Sequence, residues 1–485
     1  MESKSKKLKT IIMDAIFVTL LVVSIGIVSG ILEDKSSIKK NNDFFQQKED
    51  FDVLFFGSSH SEIFVNPMIL WNKYGIVSYN FGNPEEGIPV SYWEMKSAIE
   101  IHKPKVIVFD VSMINRGEVY SNEEHLHYAL DSFPPSVTKL AAANDLLTDT
   151  NEKIELFFKL GNYHSRWKEI TIVDDPFVKG SLSYGEYHTM RVQSFEQFPI
   201  TNKIADIDEN NRDLVYITKI IDLCRENDID LVLAVNPFQC TEGRQADLNR
   251  VEQLAKQNGV PFINFIKMGT VIDYDVDLYD CEHVNQSGLN KMCDYWGTYL
   301  TDNYQLNDYR DDKTYSSWNS DYEDFKQLKY ESLWWIVDNI EVIIQGLHDK
   351  DIKSYVFIGK DSNVPIEEEH FKRLIQNIGR ENVVVDSEQT MRSEDLFPLK
   401  ILDEAYKVED YGVLISDGYG IEERTDIGAR ELLLSLYNDV DLSSNDVVVV
   451  IADNETNEVK MVRKYNNSTD DYEIIYLDIP KVYFN

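Results

Sequence analysis

The chain has 485 residues, more than a single hydrophobic core usually supports, so we expect two folded domains in addition to any membrane anchor. Its composition, 43% hydrophobic and 12% aromatic, is typical of a folded protein and excludes a disordered chain. The formal net charge of -36 disfavours nucleic acid as a partner, because a polyanion would be repelled, and a polyanionic surface polymer would need a local binding site.

The N-terminal residues predict a membrane anchor. Residues 11–32 are almost wholly apolar, with Asp14 the only charged residue, and as a helix they would reach about 33 Å, enough to cross the hydrocarbon core of a bilayer. Four lysines lie within residues 1–10, so the positive-inside rule places this tail in the cytoplasm and the rest of the chain outside the membrane. A cleaved signal peptide is the alternative, but the apolar run is longer than is usual for one. Residues 33–50 predict a polar linker.

Short β-rich runs alternate with helical patterns from residue 51 onward. We predict strands over 52–57, 76–81, 105–111, 230–238 and 261–265. Helices are predicted over about 66–74, 89–102, 213–227 and 247–259. This alternation predicts an α/β domain with an open parallel sheet, in which ligands bind at the carboxyl ends of the strands. The long insertion over 112–210 predicts a substrate mouth or a partner surface at that edge.

A serine-containing motif follows the first predicted strand. A glycine at position 57 permits a sharp turn, so that the next residues project from the carboxyl edge of the sheet. These residues are Ser58, Ser59 and His60. A serine there lies at a helix N-terminus, whose positive end favours an oxyanion. The alternative is that Ser58 or Ser59 only caps the helix that follows, which the motif alone does not exclude.

A second motif stands near the end of the same predicted domain. Asp280 precedes His283 by three residues at a predicted junction of loop and helix. This spacing allows the carboxylate to bind the ring Nδ1 and leaves Nε2 facing a nucleophile, which a serine requires because its hydroxyl is a weak acid. The pattern alone is weak. It opens the last helix of the domain in which Ser59 follows the first strand, and this order predicts a Ser59–His283–Asp280 triad.

The two motifs together resemble the SGNH (GDSL-type) hydrolase superfamily, with its flavodoxin-like sheet, over about residues 51–306. The resemblance is closest to a membrane-anchored branch related to the teichoic-acid D-alanylation and alginate O-acetylation proteins. It implies that Ser59 is the nucleophile, His283 the base and Asp280 its partner. It also implies an activity on ester bonds, either hydrolysis or acyl transfer, and we expect no cofactor.

The resemblance further implies an oxyanion hole built from N–H groups. Ser59 would supply one donor and Gly87 a second, with Gly82 and Asn83 as the alternatives to Gly87. Hydrolytic members usually have Gly-x-Asn-Asp after the third strand, whose Asn completes the hole. This chain has Asp-Val-Ser-Met at 110–113 instead. One missing donor would cost about 2–4 kcal/mol of transition-state stabilisation, which leaves room for partner-assisted acyl transfer or for a protein without catalysis.

The insertion contains a Tyr-His-Ser-Arg-Trp segment at 163–167. A cation, aromatic rings and an imidazole suit a polar acceptor such as a sugar or a phosphate, although a packed structural cluster has the same composition. A similar segment occurs in the membrane-anchored branch. The resemblance therefore implies that His164, Arg166 and Trp167 lie on the substrate side, and we place His60 there as well.

The cysteines and the remaining histidines give no support for a metal site. The four cysteines lack CxxC spacing, and both a Cys240–Cys281 disulfide and four buried free thiols are consistent with the sequence. His125 and His127 have no acidic or cysteine partners at ligand spacing, so we predict solvated loop residues. No metal ligands are assigned.

Residues 326–485 predict a second, smaller α/β domain, separated from the first by an acidic, polar stretch over 303–325. It begins with a helix over about 331–348. Predicted strands follow at 354–360, 382–387, 412–418, 447–453 and 458–466, the last two as a hairpin. The region resembles the small α/β domain of the interleukin-like epithelial-mesenchymal inducer proteins. We expect a binding or spacing role for it.

Two classes of function remain open from the sequence. The first is an extracytoplasmic serine enzyme that passes an acyl group to a cell-surface polysaccharide, a wall polymer or water, with a membrane-bound O-acyltransferase as its donor partner. The second is a non-catalytic surface or assembly protein that uses the same fold to bind a glycan or a partner. The predicted triad favours the enzyme, whereas the missing Asn and the additional domain favour the second class.

Overall fold

The computed structural model describes residues 2–32, 44–45, 47–116, 123–157, 163–168, 193–275, 277–335, 352–359, 411–416, 446–453 and 459–466. The first element is helix α1 (Glu2–Leu32), which contains both the lysine-rich tail and the predicted anchor. Among the described residues, α1 is the one helix long and apolar enough to cross a bilayer. Its segment Ile12–Ser29 has a mean hydropathy of 2.4, and none of it is buried.

Five parallel strands form the sheet of what we call the α/β body. They are β1 (Val53–Phe56), β2 (Ser78–Asn80), β3 (Val106–Asp110), β4 (Asp230–Val235) and β5 (Phe262–Asn264). The strand order is β2-β1-β3-β4-β5. Because the order reverses at β1 and β3, the connections after these two strands diverge and leave a crevice at the carboxyl edge. The predicted parallel α/β sheet is therefore confirmed, and each strand is shorter than predicted.

Helices cover both faces of the sheet. They are α2 (Ser59–Glu62), α3 (Pro67–Tyr74), α4 (Ile88–Ile99), α5 (Glu123–Leu130), α6 (Val137–Leu146), α7 (Thr150–Glu155), α8 (Arg212–Glu226), α9 (Glu242–Asn258), α10 (Phe265–Met268), α11 (Gln286–Asn303) and α12 (Ser316–Trp335). Helix α8 shows why these segments are helical. The Asn211 side chain caps its first N–H groups, and buried Leu214, Ile217 and Ile221 recur on one face.

The core of the α/β body extends past the predicted limit at residue 306. Helix α12 places Trp318, Tyr322 and Phe325 in the main hydrophobic cluster, and their spacing puts them on one helix face. The Trp318 ring lies 5.4 Å from that of Trp71 and 6.0 Å from that of Phe51. The stretch predicted as a polar boundary therefore contributes an apolar face to the core.

The insertion after β3 contains α5–α7 and a 3-10 helix, His164–Lys168. A second, smaller hydrophobic cluster joins these helices to α4 and includes Val90, Leu126 and Ala143. His127 lies in α5, where its Nδ1 is 2.9 Å from Oδ1 of Asp131. The prediction that His127 is a solvated loop residue is wrong, because a helical turn brings residues four positions apart together.

Four antiparallel strands form a separate sheet beyond residue 335, in the order β7-β6-β8-β9. They are β6 (Ile352–Gly359), β7 (Tyr411–Ser416), β8 (Asp446–Asp453) and β9 (Val459–Asn466). β8 and β9 pair in antiparallel register, as a hairpin requires. The predicted strand at 382–387 lies outside the described residues, as does the part of the predicted helix over about 331–348 that follows Trp335, where α12 ends.

Candidate active site

The turn after β1 positions Ser59. Gly57 has a φ of +142°, and a Cβ there would lie 2.9 Å from the Asp110 Cβ, so the position is suited to glycine. Ser58 Oγ accepts a hydrogen bond from the His60 N–H at 3.3 Å, which makes Ser58 the N-cap of α2. Ser59 is therefore the first helical residue, and its hydroxyl is not used for capping.

The carboxyl edge of the sheet brings Ser59, His283 and Asp280 together, and we call these three residues the candidate triad. His283 Nε2 lies 2.9 Å from Ser59 Oγ. His283 Nδ1 lies 2.9 Å from Oδ2 and 3.0 Å from Oδ1 of Asp280. One ring nitrogen thus faces a carboxylate and the other a hydroxyl, which is the arrangement that activates a serine.

The loop that carries Asp280 holds its carboxylate in the charged form. Asp280 Oδ1 accepts hydrogen bonds from the backbone N–H groups of Glu282 and His283, both at 2.8 Å. Burial raises the pKa of Asp280, but the hydrogen bonds from the His283 ring and from these N–H groups outweigh it, so the pKa lies below its ordinary value. Asp280 is therefore ionised at neutral pH and can stabilise a His283 imidazolium.

A second charged group lies beside the candidate triad on the same loop. Glu282 Oε1 accepts a hydrogen bond from Arg116 Nη2 at 2.9 Å, and Glu282 Oε2 is 4.0 Å from His60 Nε2. His60 lowers the pKa of Glu282 most; burial opposes this, and Arg116 lowers the pKa further, so that it lies well below its usual range. The His60 ring packs edge-on against the His283 ring at 5.6 Å. His60, which the sequence predicts on the substrate side, is only 3% exposed. It packs against this loop through Glu282 and His283.

The loop after β2 uses several of its own hydrogen-bond donors. The Gly82 N–H donates to Asn80 Oδ1 at 2.9 Å. The Asn83 side-chain amide donates to the carboxylates of two buried glutamates and to a backbone carbonyl. Among the described residues, none accepts a hydrogen bond from the N–H of Ser59 or from that of Gly87. Gly87 is the N-cap residue of α4.

The end of β3 carries a carboxylate that joins two strands. Asp110 Oδ1 accepts the Ser112 N–H at 2.9 Å, and Asp110 Oδ2 accepts the Asn236 N–H at 3.0 Å. Asn236 Nδ2 in turn donates to the His60 carbonyl oxygen at 2.7 Å. Asn236 and Arg116 support the site but belong to no motif in the sequence. The only local signal for Asn236 is its position directly after β4, where side chains reach the carboxyl edge.

The segment at 163–167 lies at the end of α1. Arg166 Nη1 donates to the carbonyl oxygen of Leu32 at 2.9 Å. His164 is exposed, and Trp167 is 63% exposed. Within the part of the chain that the structure describes, the hydrogen bonds and ring contacts of the candidate triad involve none of these side chains. The predicted substrate-side segment and the candidate triad are thus not brought into contact.

All four cysteines are free, and Cys281 is the exposed one. The Gln239 N–H donates to the Cys281 carbonyl oxygen at 2.8 Å, so the Cys240 and Cys281 segments adjoin without a disulfide. Burial raises the pKa of the Cys240 thiol to about 12. Across the described ranges, no group of three or more His, Cys, Asp or Glu side chains is arranged to hold a metal ion.

Comparisons with known proteins yield likenesses of fold. No family model and no curated protein matches the chain. Among solved structures, the chain is similar to a protein described as lipolytic, of the G-D-S-L family, from Desulfitobacterium hafniense DCB-2, at 11% identity and a TM-score of 0.27, over 51% of this chain and 98% of that one. It is also similar to a protein described as an acylhydrolase from Bacteroides fragilis NCTC 9343, at 11% identity and a TM-score of 0.29, over 56% of this chain and 98% of that one. These likenesses concern the fold alone.

Proposed function

We propose that this chain is an extracytoplasmic serine acyl-transfer enzyme, an O-acyltransferase or acyl esterase, that acts on a cell-surface polysaccharide or wall polymer. The observation that carries the proposal is the line of hydrogen bonds from Asp280 through His283 to Ser59, with 2.9 Å at each step. A hydroxyl this close to an imidazole nitrogen can lose its proton as it attacks. Ser59 and His283 lie 224 positions apart in the chain, so the fold, and not local sequence, creates this contact.

The reaction proceeds in two half-steps. Ser59 Oγ attacks the carbonyl carbon of an acyl donor while His283 Nε2 takes the hydroxyl proton. The bond from the acyl group to its leaving group then breaks, and His283 returns the proton to that group. In the second half-step, His283 removes a proton from a polymer hydroxyl or from water, which attacks the acyl-serine. The bond from the acyl group to Ser59 Oγ then breaks, and His283 returns the proton to Ser59. Asp280 remains ionised throughout and stabilises the imidazolium.

The oxyanion of each half-step requires hydrogen-bond donors that are not already used. The N–H groups of Ser59 and Gly87 satisfy this condition among the described residues, whereas the Gly82 N–H donates to Asn80 Oδ1 and the Asn83 N–H donates to the Gly57 carbonyl oxygen. Ser112 stands where the Asn of the pattern would supply a third donor, and its Oγ lies 3.4 Å from Ser58 Oγ, whereas the neighbouring Asp110 carboxylate can only accept. We therefore expect slow turnover with simple esters and a need for a partner or acceptor to reach full rate.

Labelling of the full-length protein in detergent with a fluorophosphonate tests the proposal. We expect labelling of the wild type and none of Ser59→Ala or His283→Ala. Ser58→Ala is the matched control, since Ser58 is the neighbouring serine but serves as a helix cap. Ser58→Ala is expected to lose about 0.5–2 kcal/mol of stability and to keep its labelling. If the wild type is not labelled while its circular dichroism spectrum shows that it is folded, Ser59 is not an activated serine and the proposal is wrong.

The membrane location and the partners belong to the same proposal. Helix α1 supports a single-pass anchor, and its lysine-rich start supports a cytoplasmic N-terminus. An anchored enzyme that passes an acyl group to a polymer needs an acyl donor system in the same membrane. We propose a membrane-bound O-acyltransferase as that donor system. Transfer of a labelled acetyl group to Ser59 only when both proteins share a vesicle would support this partner. Equal labelling of Ser59 without it would remove the partner from the proposal.

The second candidate is a non-catalytic protein that binds a glycan with the same fold. The observation that favours it is the end of β3, where Ser112 replaces the Asn of the hydrolytic pattern and the Asp110 carboxylate, which joins β3 to β4, can only accept hydrogen bonds. The two candidates differ in one measurement. Glycan binding that survives Ser59→Ala unchanged, in a protein that no fluorophosphonate labels, would establish the binding protein.

A further inference from the structure

The 3-10 helix His164–Lys168 lies against the C-terminal end of α1. Arg166 Nη1 donates to the carbonyl oxygen of Leu32, the last residue of α1, at 2.9 Å. The final carbonyl groups of a helix have no partner within the helix, and a guanidinium there is also attracted by the negative end of the helix dipole. This contact fixes the insertion of the α/β body at the point where α1 ends.

Asp131 connects the same region to α6. The Tyr163 hydroxyl donates to Asp131 Oδ2 at 2.8 Å, and Lys139 Nζ donates to the Asp131 carbonyl oxygen at 3.2 Å. Lys139 Nζ also lies 5.7 Å from the centre of the Phe157 ring. The 3-10 helix, the first turn of α6 and the residues after α7 are therefore neighbours, and the 3-10 helix joins this group to the end of α1 through Arg166.

Four large apolar side chains on these elements are exposed, and we call them the apolar patch. They are Val137 at 85%, Leu140 at 53%, Phe157 at 37% and Trp167 at 63% exposed. Single exposed apolar side chains are ordinary on a protein surface. These four differ because they lie on neighbouring elements, one of which contacts the end of a helix whose apolar segment is nowhere buried. Trp167 also stands between two cationic residues, a combination typical of the boundary between lipid headgroups and acyl chains.

We propose that the apolar patch lies in the interfacial layer of the bilayer that α1 crosses, with Arg166 and Lys168 at the level of the lipid phosphates. The occupant is lipid, because α1 must be covered by lipid and the 3-10 helix that carries Trp167 is fixed at the end of α1. The cations also supply a local attraction that a chain of net charge -36 otherwise lacks. The α/β body is then held at a fixed height instead of on a free linker. This inference rests on the membrane location in the proposed function.

Site-directed spin labelling of the full-length protein in lipid nanodiscs tests the inference. Cys281, the exposed native cysteine, is first replaced by Ser. Labels are placed in Trp167→Cys and Val137→Cys. Ile204→Cys, at an apolar position that is 52% exposed, is the matched control, and Phe17→Cys reports on α1. Power saturation with oxygen, which partitions into lipid, and with a water-soluble nickel chelate gives the depth of each label.

At positions 137 and 167 we expect a higher ratio of oxygen to nickel accessibility than at 204, corresponding to a depth of about 5–10 Å at the headgroup boundary. A water-like ratio at 137 and 167, with a lipid-like ratio at 17, would refute the interfacial location of the apolar patch and retain α1 as a membrane anchor. Protection from both reagents would also overturn it, because protein and not lipid would then cover the patch. A water-like ratio at 17 would remove the anchor itself. Fluorophosphonate labelling of the same samples tests the acyl-transfer proposal separately.

Discussion

The Asp280 carboxylate determines which nitrogen of His283 carries the proton. It accepts from His283 Nδ1, so a neutral ring keeps its hydrogen there and presents the Nε2 lone pair to Ser59. Two backbone N–H groups orient the same carboxylate. The loop therefore sets the charge and the direction of Asp280 before any substrate binds, which is the condition for a general base that acts on a serine.

Asp280→Asn should lower the rate of fluorophosphonate labelling about 10²–10⁴-fold. The amide group of Asn can donate to Nδ1, which favours the tautomer with its hydrogen on Nε2, and that nitrogen can no longer accept the proton of Ser59. The rate is measured with full-length protein whose circular dichroism spectrum is unchanged. Asp302→Asn, at an exposed position on α11, is the control and should label as fast as the wild type. Equal rates for the two variants would refute a role for Asp280 in the site.

The acid stability of the protein should depend on Glu282. The pKa values of Asp280 and Glu282 lie below their usual values of 3.8 and 4.5, so the folded state binds fewer protons than the unfolded state in acid. Their contribution to the free energy of unfolding is therefore complete above about pH 4.5 and is lost as the pH falls towards the lower folded values. We expect the urea midpoint to fall more between roughly pH 5 and roughly pH 3 in the wild type than in Glu282→Gln. Glu209→Gln, at an exposed position, should match the wild type, and equal falls in all three proteins would contradict the prediction.

At the scale of elements, the close packing of α2 against the loop after β2 depends on Gly82, which has no side chain. A Cβ at this position would lie 2.2 Å from the Glu62 N and 2.7 Å from the Glu62 Cα, both of them backbone atoms that cannot rotate away. Since Ser59 is the first residue of α2, any displacement of this short helix moves the hydroxyl relative to His283.

Gly82→Ala should therefore lower both stability, by about 1–3 kcal/mol, and fluorophosphonate labelling. Gly243→Ala in α9 is the matched control, because a Cβ there would meet nothing within 4 Å. An alanine inside a helix is favoured over glycine by about 0.5–1 kcal/mol, so the control should be as stable as the wild type or more so. Urea unfolding and the labelling rate measure the two effects. A Gly82→Ala protein that labels at the wild-type rate would show that α2 is not held by this contact.

The elements that the sequence predicts correctly are those with a local signal. The run of apolar residues in β3 and the period of buried residues in α8 need no knowledge of distant contacts. The motif at Asp280 and His283 also has a local geometry, since both residues lie on one turn of chain. The apolar face of α12 has a weaker local signal, because its polar residues outnumber Trp318, Tyr322 and Phe325, which reach the core.

The contacts made by side chains of the insertion could not be predicted, because their partners lie far away in the sequence. Arg116 and Glu282 are 166 positions apart, and Arg166 and Leu32 are 134 positions apart. Nothing in either local sequence identifies the partner, because a single ion pair or a carbonyl contact leaves no periodic pattern. The segment at 163–167 has the composition of a sugar site and of a membrane interface alike, and only its position beside α1 distinguishes them.

At the scale of the whole molecule, one apolar helix and an acidic body define the topology that can be tested. The chain carries 84 acidic and 48 basic residues, and four of the lysines precede the apolar segment of α1. Under the positive-inside rule, that asymmetry predicts that the α/β body lies outside the cytoplasm, as proposed above. Cys281 provides a reporter for it, because it is exposed while Cys224, Cys240 and Cys293 are buried.

A membrane-impermeant maleimide added to intact cells should label Cys281 and leave the other three cysteines unmodified. Burial, with Glu282 and Asp280 nearby, raises the pKa of the Cys281 thiol, so the reaction is best run at about pH 8.5, where more thiolate is present. Cys281→Ser should remove the label, and Cys224→Ser, at a buried position, should not. Labelling that appears only after the cells are permeabilised would place the α/β body in the cytoplasm, and the proposed action on a cell-surface polymer would then be wrong, whatever the reactivity of Ser59.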